Sequence, residues 1–89
     1  MSDRKKYFLD KACFCKEIDD SLFILNSKTG QYHELNGSAK YIVQMLDSHS
    51  IDLNIILDNL NKSKYELNKD DVIEFIDKLI EREIINYIE

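Results

Sequence analysis

The stretch LFILNSKTGQYHELNGSAKYIVQML, Leu22 to Leu46, decides the fold. A short apolar run of Leu22, Phe23, Ile24 and Leu25 stops at Asn26. Ser27-Lys28-Thr29-Gly30 makes a tight linker to a second short run, Gln31 to Leu35. At Asn36 the rhythm turns from strand-like to helical, with Ala39, Ile42, Val43 and Leu46 spaced i, i+3, i+4, i+7. That pattern is a hairpin running directly into an amphipathic helix. It leaves the second run as the open edge of a small sheet, able to accept another strand.

Working upstream, Lys11 to Ile18 alternates as a first strand, and Asp19-Asp20-Ser21 supplies the turn into Leu22. Both faces of Leu22–Asn26 are apolar, which suits a central strand with two neighbours. Met1 to Lys6 is polar and basic and is expected to fray.

Downstream, three helices are expected. The first covers about Gly37 to Asp47, capped by Asn36 or Ser38. The second starts after Ser50 and presents Leu53, Ile56, Leu57 and Leu60 on one face. Asn59 to Glu66 reads as a polar connection broken only by Tyr65. The third opens at Asn68, with Asp70 and Asp71 in its first turn, where the helix dipole favours negative charge. The tail Ile84 to Ile88 closes as a short strand or docked coil.

The third helix carries more apolar surface than one core stripe requires. Its apolar positions from Phe75 round to Ile73 span roughly 160°, against about 100° for a simple core-facing helix. The surplus lies on the Ile73, Ile80 flank. Two readings stay open: the tail covers that flank, or the flank lines a groove for a partner.

Size and composition limit the function classes. Eighty-nine residues make one domain, 1–89, that buries roughly 64% of its unfolded surface, enough for one core. No apolar run approaches the roughly 18 residues of a membrane span and no signal-peptide core is present, so a soluble, cytoplasmic protein is expected. A net charge of −5 disfavours nucleic acid and suits a peptide carrying some Lys or Arg. Cys13 and Cys15, two apart on a strand, share a face and are poorly placed to bridge each other. Only His33 and His49 remain to complete a zinc site, without paired spacing, so no metal and no cofactor are expected. With two glycines there is no phosphate-binding loop, and no nucleophile–base pair is visible, so the chain does not read as an enzyme.

DDSLFILNSKTGQYHELNGSAKYIVQML and DVIEFIDKLIEREII, within a likeness covering about Ala12 to Ile85, resemble the small peptide chaperone of pyrroloquinoline quinone biosynthesis and its relatives. These are the PqqD-like recognition elements of ribosomally synthesised, post-translationally modified peptide (RiPP) pathways. The chain lacks a proline-rich lead-in, which makes it more similar to a lasso-peptide leader-binding subunit, or another stand-alone element, than to the quinone-pathway member. It also departs in carrying Glu83 where the family often has glycine, so a difference at the helix end is expected.

The resemblance implies an α+β, winged-helix-like domain: a three-stranded antiparallel sheet packed on three helices. It implies natural-product biosynthesis by delivery, in which the leader of a precursor peptide adds as a strand and is presented to a separate leader protease or modifying enzyme. The expected peptide-binding residues are Gln31, Tyr32, His33, Glu34 and Leu35 on the edge strand, with Ile73, Ile76, Asp77 and Ile80 on the third helix. A monomer or weak dimer, without membrane attachment, is expected. The competing reading is a winged-helix DNA-binding regulator. Its recognition helix would need Lys and Arg where helix two offers Asp52, Asn54, Asp58 and Asn59.

Overall fold

A computed structural model describes residues 5–47, 49–65 and 67–89. In chain order it contains β1 (Lys6–Leu9), β2 (Cys13–Ile18), β3 (Ser21–Asn26), β4 (Tyr32–Leu35), α1 (Gly37–Leu46), β5 (Ile51–Asp52), α2 (Leu53–Asn61), α3 (Lys69–Glu81) and β6 (Ile85–Ile88). The expected three-stranded sheet is β2-β3-β4, antiparallel throughout, with β3 central. Its inner face presents Leu22, Ile24 and Leu35 to one core shared with Ile42, Val43 and Leu46 of α1, Ile56 and Leu60 of α2, and Val72 and Ile76 of α3. The α+β, three-helix architecture read from the sequence is therefore present.

A second sheet, order β5-β1-β6, was not foreseen. Lys6, expected in a frayed terminus, opens β1 and pairs with both Asp52 and Ile88; residues 1–4 lie outside the described residues. Buried Tyr7 holds this strand in the core, and its ring tilts against Tyr87 of β6 at 6.1 Å. The tail resolves as a strand because β1 supplies its partner. The hairpin sheet begins at Cys13 and not Lys11. Asp10 folds the chain back first, its carboxylate accepting from Ala12 N–H and its carbonyl from Cys13 N–H.

Two helices start with a side-chain cap: Asp52 Oδ1 accepts from Ile55 N–H and Asn68 Oδ1 from Asp71 N–H, both at 2.9 Å. Asn36 holds the cap position of α1, but its side chain reaches Ser21 Oγ instead. Helix α2 runs to Asn61, into the expected polar connection, because Leu60 is fully buried and anchors the last turn. Glu66, the end of that connection, lies outside the described residues.

The two halves meet at Asn26, 1% exposed. Its Oδ1 accepts from Lys28 and Thr29 N–H, shaping the β3–β4 turn. Its N–H donates to the Gln31 carbonyl and its carbonyl accepts from Gly30 N–H. Its remaining group, Nδ2, donates across the domain to the carbonyl of Glu83 at 2.9 Å. Glu83 is where α3 ends. Ile84 N–H bonds to the Leu79 carbonyl and Glu83 N–H to that of Ile80, the paired bonds of a Schellman exit. Glu83 takes φ 61°, the left-handed conformation that glycine adopts without cost. A glycine-type exit is thus made with a glutamate.

The two ends of this contact respond in opposite directions. Asn26→Asp keeps the acceptor and loses the donor to Glu83, and should destabilise by about 2 kcal/mol. Glu83→Gly keeps the carbonyl and relieves the backbone, and should stabilise by about 1 kcal/mol. Urea unfolding midpoints at unchanged slope read both; a neutral Asn26→Asp would show that the contact is incidental.

Candidate functional site

Among the described residues, strand β4 has a partner on one side only. Which of its peptide groups face the open side follows from the register. Asn26 N–H donates to the Gln31 carbonyl at 2.9 Å, making that opposed pair hydrogen-bonded. Such pairs alternate along an antiparallel ladder. Leu25↔Tyr32 is then an unbonded pair, Ile24↔His33 bonded, Phe23↔Glu34 unbonded and Leu22↔Leu35 bonded. His33 and Leu35 spend their peptide groups on β3. Those of Tyr32 and Glu34 point outward, two residues apart, away from β3.

The side chains alternate too. Leu35 and half-buried His33 face inward, while Tyr32 and Glu34 lie on the outer face. His33 Nε2 is buried without a hydrogen-bond partner among the described residues. Glu34 is held by Ser21 Oγ, which donates to its Oε2 at 2.8 Å. Gln31 lies just before the strand, its N–H tied to Thr29 Oγ1.

On α3 the four expected residues form one stripe with graded burial. Ile76 is 1% exposed, Ile80 half-buried and packed on the core, Ile73 37% exposed, and Asp77 exposed. Ile76 is a core residue and offers little surface to a ligand; Ile80 and Ile73 form the apolar margin beside it. The tail leaves Ile73 uncovered, because β6 pairs with β1. The Asn26–Glu83 bond brings the end of α3 to the turn where β4 starts. Ile73 stands about 12 Å back along the helix from its last residue, Glu81, at 1.5 Å per residue.

Other features fit this picture by exclusion or support. A cavity of about 200 Å³ between β2 and α1 is lined by Cys15, Glu17, Leu22, Val43, Gln44 and Asp47. A shallower one of about 460 Å³ adjoins Leu57, Asn61 and Leu67 to Lys69. None of the expected peptide-binding residues lines either. Lys40 pairs with Glu17 at 2.6 Å and also donates to the Asp20 carbonyl, fastening α1 to the β2–β3 turn. The hydrogen bond and charge of Lys40 hold the Glu17 carboxyl below its ordinary range, and Glu17 in turn raises Lys40.

Among the described residues, no group of three or more His, Cys, Asp or Glu is placed to hold a metal ion, and no helix is long and apolar enough to cross a membrane. The exposed face of α3 carries Asp70, Asp71, Glu74, Asp77 and Glu81 against Lys69 and Lys78. That face would repel phosphates.

The family model described as coenzyme PQQ synthesis protein D (PqqD) matches residues 21–85, from the start of β3 to the start of β6. The chain belongs to the PqqD family. This PqqD-family fold is shared with solved structures. TbiB1 in complex with the TbiA(beta) leader peptide matches with a TM-score of 0.77 and 22% identity, covering 89% of this chain and 94% of that one. Lasso peptide synthetase B1 complexed with the leader peptide matches at 0.71 and 24% identity, covering 90% and 96%. Comparison with curated proteins returns no match.

The free cysteines are not part of the edge. Burial pushes the Cys15 thiol up to about 11, with the charges of Asp47 and Cys13 adding; burial, then Asp10 and Glu83, raises Cys13. A thiol near 11 is almost wholly protonated at pH 7.5. Iodoacetamide should therefore label Cys15 slowly in the native protein, faster as pH rises, and at an ordinary thiol rate in urea. Ordinary-rate native labelling would show that the site is open.

Proposed function

We propose that this protein binds the leader segment of a ribosomally made precursor peptide by strand addition to β4. It then holds that peptide for a separate leader protease or modifying enzyme, within a lasso-peptide or similar RiPP pathway. The observation that carries this reading is the free edge of β4, with the peptide groups of Tyr32 and Glu34 turned outward. Main-chain bonds at that edge supply affinity with little demand on sequence, and side chains reaching the Ile73, Ile80 margin supply selectivity. Family membership supports the reading, as do fold neighbours solved with leader peptides bound. The protein itself performs no chemistry in this scheme; it raises the local concentration of substrate beside its enzyme.

The outward amides set the test. Proline at 32 or 34 removes a donor facing the ligand while sparing the ladder to β3; proline at 33 breaks the ladder itself. Tyr32→Pro and Glu34→Pro should fold and bind a precursor from the gene neighbourhood at least tenfold more weakly by calorimetry. Alanine at either position should have a mild effect. Wild-type affinity in both folded proline variants would overturn strand addition.

Ile73→Asp should weaken binding by about 2 kcal/mol, as losing an apolar anchor does, with little effect on folding at so exposed a position. Precursor incubated with this protein alone should keep its mass, and processing by the cognate enzyme should accelerate most at low precursor concentration. Mass spectrometry reads both outcomes; cleavage or modification by the isolated protein would make it an enzyme.

A further inference from the structure

Among the described residues, nothing covers the outer face of the hairpin sheet. Phe14 is 64% exposed, Ile18 46%, Leu25 41% and Tyr32 65%, while their inward neighbours Leu22 and Ile24 are buried. The register sorts this face into two cross-strand rows. Phe14 opposes Leu25 and Leu25 opposes Tyr32, giving an apolar row of three. Lys16 opposes Phe23 and Phe23 opposes Glu34, giving a row that starts basic and ends acidic. The rows are linked where the Phe23 and Tyr32 rings stack at 6.0 Å and 25°. Both rows end at the open edge of β4, on the two residues whose peptide groups point outward.

Resting on the strand-addition reading, we infer that the outer face reads the leader's sequence: an apolar or aromatic leader residue extends the Phe14–Leu25–Tyr32 row, and a Lys or Arg two residues away pairs with Glu34. A strand added to β4 places the residues opposite Tyr32 and Glu34 on this same face, whichever way it runs, because side chains alternate with a period of two. Directly opposed side chains are the units that stabilise a sheet; apolar and opposite-charge pairs gain and like charges lose. The leader residue beside Tyr32 meets an exposed ring already backed by Leu25 and Phe23. The one beside Glu34 meets a carboxylate that Ser21 Oγ holds by Oε2, leaving the other oxygen for a cation. A basic residue there also suits a chain of net charge −5. The intervening leader residue turns inward beside His33, so the two faces of the edge read different leader positions.

The test uses random 12-residue peptides displayed on phage, selected on the whole protein and on Glu34→Lys, Tyr32→Ser and Glu34→Pro variants. Wild type should enrich peptides with a basic residue two places from an apolar one. Glu34→Lys should exchange that basic preference for an acidic one, and Tyr32→Ser should lose the apolar preference alone. With one enriched peptide made in Lys and Glu versions, the ratio of the two affinities should change about fivefold or more between wild type and Glu34→Lys. Peptides enriched by wild type, lost by Glu34→Pro, yet indifferent to Glu34→Lys and Tyr32→Ser would overturn the outer-face inference and leave strand addition standing. No enrichment at all, or the same peptides enriched by Glu34→Pro, would overturn strand addition and this inference with it.

Discussion

The structure depends on one buried amide. Asn26 sits at the end of the central strand of the hairpin sheet and uses every polar group it has. A buried amide left short of a partner costs about 1–3 kcal/mol, so its geometry is strongly enforced. Two bonds shape the turn that delivers β4, two more close the hairpin, and the last ties that turn to the carbonyl where α3 ends. The start of the edge strand and the exit of α3 are consequently positioned by the same residue. Cys13 Sγ adds a weaker bond to the same Glu83 carbonyl, and Asp10 N–H bonds to the next one, so β1 and β2 converge on the exit of α3 as well.

An edge strand is usually a hazard, because its unpaired peptide groups invite aggregation. Here the edge is short, four residues, and carries a fixed carboxylate on its outer face. Both features limit pairing with a second copy. They leave the peptide units of Tyr32 and Glu34 turned away from β3, while α3 carries its own apolar margin at Ile73 and Ile80. Ile76 marks the boundary: it belongs to the core, and exposed apolar surface begins one helix step away at Ile80 and Ile73. The surplus apolar arc of α3 is therefore divided between core and margin. Periodicity could count its residues but could not say where burial stops.

What was legible in the chain was legible because it is local. The turn chemistry of Asp19-Asp20-Ser21 and Thr29-Gly30, the alternation in β2 and the i, i+3, i+4, i+7 spacing in the helices each act within one element. Those signals also located β4 as an edge and placed Tyr32 to Leu35 on it. Lys6–Leu9 offered only a four-residue run next to a polar terminus, and Ile51–Asp52 only two residues ahead of a helix. Neither has a local pairing partner; β1 finds β6 at the opposite end of the chain and β5 in the middle.

The sequence by itself determined the hairpin, the three helices, the open edge and the absence of any phosphate loop, because each follows from residue type and short-range spacing. Tertiary structure alone decided three things. It paired the chain ends into a second sheet, where distant strands satisfy one another's peptide groups. It joined Asn26 to Glu83, a contact between residues that share no pattern. It also set which peptide groups of β4 face outward, since a single bond from Asn26 to Gln31 fixes the parity of the ladder, and a parity is invisible until two strands are laid side by side.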